Sequence, residues 1–137
     1  MRMAIIRLYA LFGLEGFMKI RKEFTCPLEL AHDMMKGKWK TIIMWRLRLG
    51  NTPPAKLEND IKGITQKMLL QHLKELMDDG LVDKKVYDGY PLRVEYFLTP
   101  IRGQQMLEVM KLLQKIGIDY LKENNEEVLE QLNLLDI

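Results

Sequence analysis

The chain has 137 residues, 47% hydrophobic and 29% charged, with a net charge of +2 and a single cysteine. A chain of this size fits one domain with a sizeable core, and its near-neutral charge excludes binding of nucleic acid by bulk polycation character, so any such affinity must come from local placement of Lys and Arg. One cysteine excludes an internal disulfide framework, and no apolar run reaches the ~20 residues of a membrane helix, so a cytoplasmic protein without membrane attachment is expected.

Residues 1–23 read as an N-terminal extension. Ile5, Ile6, Tyr9 and Phe12 recur at helical spacing, while Gly13 and Gly16 weaken the far end. Arg7 interrupts the apolar stretch and no small-residue cleavage site follows, which argues against a signal peptide. Met18-Lys19-Ile20-Arg21-Lys22 would serve equally well as a start of translation. The segment is therefore either non-native or upstream sequence, or one that docks on a partner surface.

Cys26-Pro27 opens the next unit, because proline at a first helical position wastes no donor and already has a helical φ. Leu28, Ala31, Met34 and Met35 predict the buried side of a short helix ending near Gly37. A second helix follows from Lys38 to Leu49, with Trp39, Ile42, Ile43 and Leu47 expected inward and Lys38, Lys40, Arg46 and Arg48 outward. Thr52-Pro53-Pro54 predicts a third, short helix capped by Thr52, with Ala55, Leu57 and Ile61 on its apolar side. Lys62-Gly63 then makes a tight connection to the stretch on which the reading turns.

That stretch runs from Ile64 to Gly80. Thr65 is a good N-cap, and Leu69, Leu73 and Leu76 form one buried stripe. Gln66, Lys67, Leu70, Gln71 and Lys74 fall on the other side, while Asp78, Asp79 and Gly80 stop the helix. Glutamine pairs with adenine edges, and lysine with guanine edges or phosphate. Two short helices joined by a brief Gly-containing turn make a helix-turn-helix, whose second member enters the major groove. The plainer alternative is an ordinary amphipathic helix with a solvated polar face.

After Gly80 the period changes to two. Residues 81–86 and 92–98 predict two strands around the turn residues Asp88-Gly89-Tyr90-Pro91, a hairpin or wing over 81–98. Lys84, Lys85 and Arg93 are its candidate DNA contacts, although lysines on an edge hairpin also serve simply to prevent aggregation. Thr99-Pro100 starts a long helix over 100–122, whose broad apolar face includes Met106, Met110, Leu113, Ile116 and Tyr120. A helix of this length, ~35 Å at 1.5 Å per residue, exceeds what so small a domain covers, so a second subunit is expected on it. Residues 123–137 predict a final helix carrying Val128, Leu129, Leu132 and Leu135. The expected fold is α+β, mostly α: a winged helix-turn-helix with a long C-terminal dimerisation helix.

The segments CPLELAHDMMKGKWKTIIMWRL, GITQKMLLQHLKELMDDGLV and RVEYFLTPIRG, taken in that order, resemble the HxlR-type winged helix-turn-helix transcription regulators, relatives of the MarR group. The resemblance covers about residues 24–122. It implies a homodimer whose N-terminal segments and long C-terminal helices pack together and present two recognition helices to one double-stranded DNA operator. It also implies that some relatives sense electrophiles or oxidants through the cysteine just before the first shared helix, here Cys26. The chain departs from the family pattern at Pro54, Glu58, Asn59 and Asp60, which weakens phosphate contact from the bracing helix. It departs again at Leu70, which suits a thymine methyl.

The expected DNA-binding set is thus Thr65, Gln66, Lys67, Leu70, Gln71, Lys74, Lys40, Lys84, Lys85 and Arg93. Gln66, Lys67 and Gln71 are assigned to bases, and Lys74, Lys40 and Arg93 to phosphates. Cys26 is the candidate redox sensor, because a helix start favours a thiolate, and its protein disulfide partner could only be in another subunit. A small buried gap-filler is the plainer reading of that cysteine. A winged helix used for protein contact alone is the alternative function, given Glu58, Asp60, Asp78, Asp79 and Asp83 near the motif. An enzyme is not expected: Ser is absent, His32 reads as a core-helix residue and His72 as a helix flank, and no metal or cofactor motif is present. A small-molecule effector leaves no trace in the sequence.

Overall fold

Three leucines set the centre of the fold. In the computed structural model, which describes residues 23–132, Leu69, Leu73 and Leu76 are fully buried. They lie on one side of a helix spanning Gln66–Asp78. Each contributes about 2 kcal/mol by leaving water, against about 1 kcal/mol for the Thr65 cap, so the leucines decide how this helix is rotated.

The helices in chain order are α1 Pro27–Met35, α2 Trp39–Leu47, α3 Pro54–Asp60 and α4 Gln66–Asp78. Strands β1 Val82–Tyr87 and β2 Arg93–Leu98 follow, then α5 Arg102–Asn124 and α6 Glu126–Gln131. The strands pair antiparallel, from Val82 opposite Leu98 at the root to Tyr87 opposite Arg93 near the tip. The core lies where α2, α3, α4, the root of the hairpin and the first half of α5 meet, with Ile43, Met44, Leu57, Leu81, Leu98 and Met110 among its members. Ile61 and Ile64, both buried, plug the turn between α3 and α4.

Several expectations change. Thr52 does not cap α3: its backbone exchanges hydrogen bonds with Tyr96 at 2.9 and 2.8 Å, adding a one-residue bridge to the hairpin, and Pro53 stands at the N-cap. Ala55 is exposed, whereas Leu57 and Ile61 are buried as expected. On α1, Met34 and Met35 pack on the core, but Leu28 is exposed and so is His32, which is therefore not a core histidine. The two-residue period of β1 does not translate into alternating burial: Leu81 and Val82 are both buried and residues 83–86 are all exposed, because the hairpin projects from the body and only its root is covered.

A knot of hydrogen bonds ties α4 to the hairpin and α5. Gly80, at φ +75°, closes α4, with Leu81 N donating to Leu76 O at 2.9 Å and Gly80 N to Met77 O at 3.0 Å. Left-handed backbone of this kind favours glycine. The Thr99 hydroxyl donates to Gly80 O at 2.7 Å and accepts from Gly103 N at 2.8 Å, and Arg102 Nη1 donates to Asp79 O at 2.8 Å. Thr99-Pro100 does not start α5 as expected: the helix begins at Arg102 with Ile101 at its N-cap, beyond a turn at Pro100, and the Thr99 hydroxyl reaches its first turn only through Gly103 N.

Beyond Met110, α5 leaves the core. Leu112, Leu113, Ile116 and Tyr120 are each more than half exposed. The chain turns at Asn125 into the short α6, where Val128 and Leu132 are exposed. The expected helical spacing within residues 1–17, nearly all of the N-terminal extension, and Leu135 of the final helix lie outside the described residues.

Candidate nucleic-acid interface

Helix α4 presents a row of polar tips because its leucines fix its inner side. Thr65 caps the start, its hydroxyl oxygen accepting from Met68 N at 3.2 Å. Gln66, Lys67, Leu70, Gln71 and Lys74 are all exposed. Their spacing of three and four residues puts them on one face. Gln71 Nε2 donates to Glu75 Oε1 at 3.4 Å, and Lys74 lies 3.6 Å from Asp78 Oδ2. Both contacts are at the surface, where such pairs contribute little and yield readily to a ligand.

Lys40 requires correction. It was expected outward, facing a phosphate, but its side chain is 8% exposed and its ammonium pairs with Glu75 Oε2 at 2.9 Å. It joins α2 to the last turn of α4 and does not reach the surface occupied by Lys67 and Lys74. That hydrogen bond holds the Glu75 carboxyl below the usual carboxylate range, against a smaller opposing effect of partial burial. Arg46 was likewise expected outward but is buried, donating from Nη2 to Asp60 O at 3.2 Å. Nearby, burial pushes the Asp79 carboxyl up to about 6, with Lys40 and Arg102 partly offsetting it.

The hairpin supplies a second exposed set. Lys84, Lys85 and Arg93 are all exposed. Lys85 and Arg93 come together at Tyr87, whereas Lys84, one residue along, projects from the opposite face of the ribbon. Cys26 is exposed at the N-cap of α1, with no side-chain cap bond, and is not a buried gap-filler. The Glu29 carboxylate instead accepts from the amide and hydroxyl of Thr25 beside it. Sequence reasoning missed Glu75 as the partner of Lys40 and Tyr87 as the meeting point of Lys85 and Arg93. The first pairing joins two different helices and leaves no local signal, while the second follows from the strand register once the turn is placed.

The family model described as HxlR-like helix-turn-helix matches residues 34–125. The chain belongs to the HxlR-like family. It is therefore a helix-turn-helix transcriptional regulator and not an enzyme. The HTH-type transcriptional regulator YkvN of Bacillus subtilis is 35% identical over 106 residues, covering 77% of this chain and 89% of that protein. The crystal structure of the HTH-type regulator YtcD superposes with a TM-score of 0.66 at 31% identity, covering 72% of this chain and 99% of the other. The redox regulator HypR in its reduced form gives a TM-score of 0.64 at 31% identity, over 78% of this chain and all of that one. Some structural neighbours carry the MarR family label, in keeping with the relationship the motifs suggested. Among the described residues of this HxlR-like chain, no helix is long and apolar enough to cross a membrane.

Proposed function

We propose that the protein acts as a homodimer that reads one double-stranded operator with two copies of α4 in successive major-groove turns. The observation that carries this reading is the uncovered row Gln66, Lys67, Leu70, Gln71 and Lys74 above three fully buried leucines. Gln66, Lys67 and Gln71 meet base edges, Leu70 meets a thymine methyl, and Thr65 and Lys74 meet the backbone. Arg93, Lys84 and Lys85 bring the wing onto the backbone or minor groove. Lys40 has no part in the contact. Residues 24–122 form the DNA-binding and dimerising unit, with the bare half of α5 as the subunit contact. A DNA target puts this work in the cytoplasm.

Binding to a duplex selected from a random pool, measured at several salt concentrations, tests the reading. Lys74→Ala should weaken all sequences alike and flatten the salt slope by about 0.9 for each phosphate that Lys74 neutralises. Gln71→Ala should lose sequence preference instead. If both variants bind as wild type does, α4 is not the reader.

The exposed thiol of Cys26 supports a redox input, as does the likeness to HypR, a redox regulator by name. An oxidant then joins Cys26 of two subunits and alters operator affinity. After diamide treatment, a disulfide-linked dimer on a non-reducing gel is the expected result. A chain that stays monomeric on that gel with unchanged DNA binding removes the switch.

A further inference from the structure

The wing holds two side chains that the reading above leaves unused, Tyr87 and Glu95, packed with two that it uses. Arg93 lies over the ring of Tyr87, with Cζ 4.0 Å from the centroid, and Lys85 Nζ lies 4.9 Å from the same centroid. The Tyr87 hydroxyl donates to Glu95 Oε1 at 2.9 Å. Strand register explains the arrangement: Tyr87 stands opposite Arg93 and Lys85 opposite Glu95, so the four side chains share one face of the hairpin. Tyr87 is half-buried, while Lys85 and Arg93 are exposed.

We propose that Tyr87 is a positioning residue of the wing, its ring fixed by Glu95 so that Arg93 and Lys85 are held together for one stretch of DNA backbone. The inference rests on the DNA reading proposed above. A guanidinium lying over a ring uses its face and keeps its in-plane N–H edges for a phosphate. Holding both long side chains in advance reduces the rotamer freedom that DNA binding would otherwise remove. Lys84, on the opposite face, gains nothing from the ring.

The test uses the full chain and a mixed-sequence duplex of roughly 30 base pairs, enough for two half-sites one turn apart, at low salt. Tyr87→Leu should weaken binding about two- to fivefold, as expected of cation–π contacts at an exposed site, and Tyr87→Phe, which keeps the ring but not its bond to Glu95, should recover only part of that loss. In a background carrying both Arg93→Ala and Lys85→Ala, adding Tyr87→Leu should cost nothing more. In a Lys84→Ala background it should cost the full factor. In the free protein, the side-chain protons of Arg93 should show an upfield ring-current shift that Tyr87→Leu abolishes. The proposal is overturned if wild type lacks that shift, if Tyr87→Leu binds as wild type does, or if its loss persists undiminished without the two cations. If the Arg93→Ala, Lys85→Ala protein itself binds normally, the wing does not touch DNA and the reading beneath the proposal fails with it.

Discussion

Gly103→Ala tests the joint between α4, the hairpin and α5. A Cβ at this position would stand 2.4 Å from Leu81 O, 2.9 Å from Thr99 Oγ1 and 3.1 Å from Leu98 C. Two of these atoms are backbone, so no side-chain rotation relieves the clash. Leu81 O also accepts from Thr99 N at 3.1 Å, and Thr99 Oγ1 accepts from Gly103 N at 2.8 Å, so moving either strand or helix strains bonds that hold the joint. Overpacking costs about 1–3 kcal/mol and a weakened hydrogen bond about 1 kcal/mol. The better helix propensity of alanine returns about 0.5–1 kcal/mol. The net expectation is a loss of about 2 kcal/mol, or roughly 8 °C in midpoint for a domain of this size. Thermal unfolding followed by circular dichroism, at matched chain concentration because assembly shifts the midpoint, gives the answer. A variant melting at or above wild type would refute the packing argument.

The remaining predictions concern charge and assembly. Asp79 titrates in the folded chain at about 6 against an ordinary value of 3.8. The folded state therefore holds more protons across that window and gains stability as pH falls through it. Asp79→Asn should remove this slope and raise stability at pH 7 by about 1–2 kcal/mol in urea titrations; an unchanged profile contradicts the burial argument. Lys40→Met should lower stability by roughly 1 kcal/mol, since one partner of the pair is buried and the other half-exposed. Because Glu75 titrates below its ordinary value of 4.5, the pair stabilises the fold above that value, and the difference from wild type should vanish as pH falls through the lower, folded value. The same variant should leave the salt slope of DNA binding unaltered, and a flattened slope would return Lys40 to the DNA surface. Ile116→Glu, on the bare face of α5, should yield monomers in sedimentation equilibrium at micromolar concentration; persistent dimers would place the subunit contact elsewhere.

Much of the fold was legible because its signals are local. Thr65, the leucines at 69, 73 and 76, and Gly80 define α4 without reference to the rest of the chain. The exposure of Gln66, Lys67, Leu70, Gln71 and Lys74 follows from the same spacing. Helix α2 was harder. Its buried residues are Lys40, Ile43, Met44, Arg46 and Leu47, which a reading by residue type displaces toward Trp39 and Ile42, because lysine and arginine are expected in water. Glu75, from another helix, pairs with Lys40 and makes its burial tolerable, with the Asp79 carboxylate also nearby. Thr52 was misread for the same reason: its cap-like sequence Thr-Pro-Pro is local, while its bridge to Tyr96 is not. In the wing, strand positions were legible but burial was not, because how far a hairpin projects from its domain depends on what lies beneath it.

Selection of bound duplexes from a random pool, run in parallel with wild type and Gln71→Ala, tests most directly whether α4 reads bases. Wild type should enrich two inverted half-sites with centres about 34–36 Å apart. The Gln71→Ala pool should lose its preference at one symmetry-related pair of positions and keep the rest. A pool without a motif, or the same motif from both proteins, would contradict the assignment of this helix as the reader.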